Sequence, residues 1–173
     1  MKFSKIIITV LVLCMIVGLT SCASDSEAPE GMKNVAREEN PFNFYVPQSW
    51  MTNSGDVIGA YYSSYDKSNI SIMPYGGDFD TSEEYWNDFK TRSAEAFSEF
   101  EVLEENKLAV VAKRNALQYT YKLTVDGESY QCQKTILSYG NLFYVITYTA
   151  TVDNFDAHLT DVAAILAAFE FKQ

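Results

Sequence analysis

Hydrophobic positions alternate along some stretches of this chain and recur every three or four residues along others, which divides it into strands and helices. Phe42, Phe44 and Val46 alternate with their neighbours until Pro47 ends the run ahead of Trp50. Val57 to Tyr65 and Asn69 to Tyr75 read as two more strands, with Asp66-Lys67-Ser68 as the turn between them and Gly76-Gly77 closing the section. A helix follows. Thr81 offers its cap, Glu84 completes a capping box, and Tyr85, Trp86, Phe89, Ser93, Ala96 and Phe97 share one face.

A meander comes next, with a short strand near Leu108 to Val111 leading into Ala116 to Val125. Asp126-Gly127 is a two-residue hairpin turn, Glu128 to Ser138 returns, and Gly140-Asn141 turns into Leu142 to Ala150. Counting from these turns predicts Tyr121 opposite Cys132 and Ile136 opposite Val145. One face then carries Leu117, Tyr119, Tyr121, Leu123, Tyr130, Cys132, Ile136, Phe143 and Val145. The other carries Leu137, Tyr144, Ile146 and Tyr148, so both faces need covering. A last helix, with Asp153 as N-cap, has the stripe Phe155, Leu159, Val162, Leu166 and Phe169, and Phe169 with Phe171 begins a closing strand. The order βββ–α–ββββ–α–β predicts an α+β fold, a mostly antiparallel sheet flanked by helices on both faces.

The N-terminus changes the picture from fold to address. Lys2 and Lys5 precede the apolar run IIITVLVLCMIVGL, which is short and badly flanked for a membrane span and ends in small residues. Leu19-Thr20-Ser21-Cys22 resembles the lipobox of bacterial lipoprotein precursors. That resemblance implies a signal peptide over residues 1–21, cleavage between Ser21 and Cys22, and a diacylglycerol with further acylation (palmitate in type) on Cys22. Two or three acyl chains make a lasting tether, at about 0.8 kcal/mol per buried methylene. Residues 22–39 read as a lipidated start and flexible acidic linker, and 40–173 as the globular domain. The expected location is extracytoplasmic: lipid-anchored on the outer surface of the cell membrane, or on an outer membrane where one exists.

Charge and cysteine content narrow the chemistry. The chain has 13 basic and 23 acidic residues; loss of Lys2 and Lys5 leaves 11 against 23, a net charge of −12. Such a surface repels nucleic acid. With Cys14 removed and Cys22 lipidated, Cys132 is left alone in an alternating strand, where a small buried hydrophobe is its default role.

The segments FNFYVPQSW, KLAVVAKRNALQYTYKLTVDGESYQCQKTILSYGNLFYVITYTA and, after Phe155, AAILAAFEF resemble the PsbP-like superfamily of α/β/α sandwiches, which includes DcrB-like envelope lipoproteins. The chain departs from that pattern at Lys113-Arg114, where a glycine is expected before the basic residue. The resemblance implies a non-catalytic envelope domain, a binding or assembly accessory, because PsbP proteins assist photosystem II without being enzymes.

Residue chemistry points the same way. His158 is the only histidine, and the chain has no nucleophile elbow, phosphate-cradling glycine loop or zinc-protease motif. Asp153, Asp156, His158 and Asp161 are the best metal candidates, yet acids near a helix start already complement its dipole, and His158 reads as an exposed helix position. No catalytic residue, metal or cofactor is therefore expected. Trp50, Tyr61, Tyr62, Tyr65 and Tyr75 crowd the first β section; most should be core, with Trp50 and Tyr62 the candidate surface-binding aromatics. The expectation is a monomeric, membrane-tethered module for an envelope protein or glycan partner. The alternative is a small-ligand carrier or hydrolase with an interior pocket, and a solid core or an apolar pocket distinguishes the two.

Overall fold

Two-residue turns organise the centre of the molecule. A computed structural model describes residues 27–76, 79–97 and 99–172. Its early strands are β1 (Met32–Asn34), β2 (Phe42–Asn43), β3 (Tyr45–Pro47), β4 (Met51–Thr52), β5 (Ile58–Tyr61) and β6 (Asn69–Gly76), followed by helix α1 (Ser82–Ala96). Then come β7 (Phe100–Val111), β8 (Arg114–Val125), β9 (Glu128–Tyr139), β10 (Leu142–Thr151), α2 (Leu159–Ala168) and β11 (Glu170–Phe171). The β8–β9 turn has φ of 53° at Asp126 and 80° at Gly127, the left-handed pair that matches the twist of a hairpin. The β7–β8 turn uses the same geometry without glycine, with φ of 50° at Ala112 and 60° at Lys113. The expected glycine thus falls where a left-handed residue is required.

Seven strands form one antiparallel sheet in the order β4-β5-β6-β10-β9-β8-β7. The register counted from the turns holds: Tyr121 lies opposite Cys132 and Ile136 opposite Val145. Successive β10 residues belong to different cores. Phe143 and Val145 join Tyr119, Tyr121, Cys132 and Ile136 with Tyr85 and Trp86 of α1. Tyr144, Ile146 and Tyr148 join Leu137, Phe42, Phe44 and Trp50 with Val162, Ile165 and Leu166 of α2. Fully burying a large apolar side chain stabilises by about 1.5–3 kcal/mol, so these aromatic clusters carry much of the fold.

α1 starts at the expected capping box, with Thr81 and Glu84 each bonding the other's backbone N–H. Trp86 stacks on Tyr119 with centroids 4.4 Å apart, and its Nε1–H donates to Glu105 on β7 at 2.6 Å. β11 pairs with β2, and Phe171 stacks on Tyr139 at 3.8 Å, closing the chain onto the sheet.

Three sequence expectations need correction. First, part of the expected linker is folded: β1 pairs with β3, and Asn34 Oδ1 accepts the N–H groups of Ala36 and Phe44. A short polar strand has no periodicity to read, and its partners lie beyond it in sequence. Second, Asp153 does not cap the last helix; a 3-10 turn at Asp156–His158 precedes α2. Third, β7 begins at Phe100 rather than near Leu108, because its charged run Glu104 to Lys107 is carried through by register shifts instead of alternation.

Candidate functional site

The loop between β5 and β6 and the loop after β10 meet at one end of the sheet. Asp66 anchors the first: its Oδ1 accepts the Ser68 N–H at 2.8 Å, while its own N–H donates to Ser63 Oγ at 3.0 Å. This is the local turn chemistry expected of Asp and Ser. The second loop is drawn inward by Tyr148, whose hydroxyl donates to the Phe155 carbonyl at 2.9 Å. That bond presents His158 to Asp66, with Nε2 and Oδ2 2.9 Å apart. Burial works to raise the Asp66 carboxyl, but bonds with Ser68 and His158 outweigh it and hold the group below its ordinary range.

Aromatic rings fill the space behind this pair. Tyr62 lies 4.1 Å from the His158 ring, and Trp50 meets each of them edge-on at 5.9 Å. Trp50 Nε1–H donates to Asp161 Oδ2 at 2.9 Å. Trp50 is fully buried, so its place as a surface-binding aromatic is corrected; Tyr62 is partly exposed. His158 is likewise buried rather than exposed. The four metal candidates do not converge: His158 faces Asp66 and Asp161 is taken by Trp50. Among the described residues no group of three or more His, Cys, Asp or Glu is placed to hold a metal ion.

In front of this cluster is an open cleft of about 720 Å³, lined by Tyr65, Lys67, Asp126, Glu128, Asp153 and Asn154 among others. Lys67 and Glu128 form an ion pair, and Tyr130 OH donates to the same carboxylate. The hydrogen bond raises Lys67 and lowers Glu128. Tyr65 is 95 % exposed beside these charges. Such a surface offers a flat ring and several hydrogen-bonding groups, which suits binding of a polar partner. In the sequence Tyr65 stands out only as one of several aromatics. Glu128 gives no signal there, because its neighbours in space come from another loop.

Two other clefts are also open to solvent, one along Phe100 and Leu123 and one between Ser82-Glu83 and Leu108-Leu117. Cys132 is buried, and burial pushes its thiol pKa up, away from reactivity. Cys22 and Ser21 lie outside the described residues, as does Gly77. Among the described residues no helix is long and apolar enough to cross a membrane.

No family model matches this sequence, and no curated protein matches it. Solved structures do. The cyanobacterial PsbP (CyanoP) of Synechocystis is similar at a TM-score of 0.59 with 13 % identity, over 88 % of this chain and 98 % of that one. The Ran-binding protein Mog1p of Saccharomyces cerevisiae gives 0.58 with 10 % identity, over 82 % and 96 %. LpqN of Mycobacterium tuberculosis, described as involved in cell envelope biogenesis, gives 0.56 with 12 % identity, over 82 % and 92 %. At these identities the likeness concerns the fold alone. The strand order, the two helices and these neighbours together give the chain a PsbP-like fold.

Proposed function

We propose that this chain is an extracytoplasmic lipoprotein, cleaved before Cys22 and tethered by lipid on that residue, whose domain is a non-catalytic binding or assembly accessory. The observation that carries the tether is the sequence Leu19-Thr20-Ser21-Cys22 directly after a short apolar run. The accessory role draws support from the fold shared with CyanoP, LpqN and Mog1p. The partner is an envelope protein or glycan, engaged by Tyr65 and the polar groups around Glu128. The same reading takes α1 and α2 as layers on opposite faces of the sheet, supported by the alternation of β10 side chains between two cores. With β1 starting at Met32, residues 23–31 form the tether, and at 3.3–3.6 Å per residue they span at most about 30 Å.

Metabolic labelling tests the tether: the wild type should take up fatty acid, and Cys22→Ser should not. Equal labelling of both would overturn the lipid assignment. A photoreactive residue at position 65 tests the cleft in intact cells and should give a discrete adduct absent from a probe at Leu142, which is exposed at the other end of β10. Adducts at 142 but none at 65 would move the binding surface elsewhere.

A further inference from the structure

The cleft between the β5–β6 loop and the loop after β10 holds about 720 Å³, within the range of about 300–1,000 Å³ that ligand sites occupy. Its lining excludes three kinds of occupant. Half of its ten lining residues are Lys, Asp, Glu or Ser, the types depleted from the cores of protein–protein interfaces. Val152 is its one aliphatic side chain, so an apolar small molecule would bury little there. Asp126, Glu128 and Asp153 outnumber the single ammonium of Lys67, which Glu128 already holds, so phosphates, sulfates and uronates are repelled.

What the cleft does offer is one open ring beside a set of uncommitted acceptors. Tyr65 is 95 % exposed, and an open aromatic face takes the C–H face of a pyranose ring. The side chains of Asp126, Asp153 and Asn154 make no hydrogen bond or ion pair among the described residues. Lys67 and Tyr130 both hold Glu128 by Oε2, which leaves Oε1 to accept from a ligand. Hydroxyls donating to carboxylates make bonds roughly twice as strong as neutral ones. A carboxylate already fixed by two partners also loses little further freedom on binding. A cationic peptide would meet the same carboxylates only as exposed ion pairs, which are worth about 0–1 kcal/mol each.

Resting on the reading of this cleft as the binding surface, we infer that its ligand is a neutral glycan of β-linked pyranose rings, one ring stacked on Tyr65. Rings of this kind carry their substituents equatorially, so each presents a flat C–H face to an aromatic and a rim of hydroxyl donors to acceptors. Glu128 takes one donor through Oε1, while Asp126 from the β8–β9 turn and Asp153 from the opposite loop take others. The Asn154 amide can both donate and accept, which suits a hydroxyl or an acetamido group. The cleft is open to solvent, so a chain can pass through it and need not be bound by its end.

Calorimetric titration of the full chain in a sugar-free detergent tests this with chitohexaose and cellohexaose, beside hexagalacturonate and pentalysine. At least one neutral hexasaccharide should bind, and the two charged probes should not. Tyr65→Ala should weaken the binding about tenfold or more, and Tyr65→Phe, which keeps the ring, should stay within about threefold of the parent. Tyr65 is exposed, so the circular dichroism of both variants should match the parent. Failure of both neutral hexasaccharides to bind would overturn the inference, as would binding indifferent to Tyr65→Ala or lost equally in Tyr65→Phe. Equal binding of hexagalacturonate would also overturn it, and binding of pentalysine alone would give the cleft to a basic peptide. The photoreactive probe at position 65 separates this inference from the reading beneath it. A protein adduct at 65 with no sugar bound sinks the glycan and keeps the cleft as the binding surface; no adduct and no sugar bound removes both.

Discussion

His158 Nε2 lies 2.9 Å from Asp66 Oδ2, joining two loops separated by 92 residues in sequence. The imidazole also rests on Tyr62 and is 8 % exposed, so its removal leaves both a gap and a half-buried carboxylate with one partner fewer. His158→Ala should therefore destabilise the domain by about 1–3 kcal/mol in urea unfolding. A loss below about 0.5 kcal/mol would show the contact to be incidental. Asp66 adds a pH signature. Its carboxyl is held below the ordinary 3.8, so the stability it contributes is present above that value and lost as pH falls through the folded-state value. Asp66→Asn should flatten the acid limb of the stability curve.

Lys134 gives a prediction at the other end of the pH scale. It is 7 % exposed, with Nζ 4.3 Å from the centre of the Phe89 ring and 3.3 Å from Thr147 Oγ1. Among the described residues no ion pair forms to it, and burial pushes its pKa down to about 8 from 10.5. Between those values the unfolded chain binds more protons than the folded one, so this group makes stability rise with pH. Above pH 10 the buried tyrosines act oppositely: burial raises Tyr85 and Tyr121, and Tyr119 to about 12, whereas in the unfolded chain they ionise sooner. Maximum stability should fall near pH 9–10. Lys134→Met should stabilise on the order of 1–3 kcal/mol at pH 7 and remove the rise above pH 8. Parallel pH profiles for the two proteins would refute this account.

The β7–β8 turn is where a local improvement should show. Lys113 has φ of 60°, and the left-handed region costs a side-chain-bearing residue about 1–2 kcal/mol. Lys113→Gly relieves that cost but loosens the unfolded chain, for a net gain of about 0.5–1 kcal/mol. Lys113→Ala should give none. A thermal melt with glycine no better than alanine would mean that the turn is unstrained.

Features that depend on residues near one another in the chain are legible in the amino-acid sequence by itself. Thr81 and Glu84 make the capping box because it needs only residues three apart, and the Asp126-Gly127 turn sets the pairing of Tyr121 with Cys132 by simple counting. The alternation of Val145 with Tyr144 and Ile146 likewise announces two cores. Those signals carry the fold class because helix and hairpin periods are local. The proposed N-terminal address rests on local residues too, the apolar run and Leu19-Thr20-Ser21-Cys22. What tertiary structure decided were contacts between loops distant in sequence. Trp50 is buried because Asp161, 111 residues on, accepts its indole N–H, and His158 is buried because Asp66 and Tyr62 meet it. β1 is a strand because β3 lies beside it, and the cleft exists where the Asp126-Gly127 turn faces Tyr65 and Asn154. Whether an aromatic or a charged group is core or surface is set by what packs over it, and for these residues the covering groups come from elsewhere in the chain.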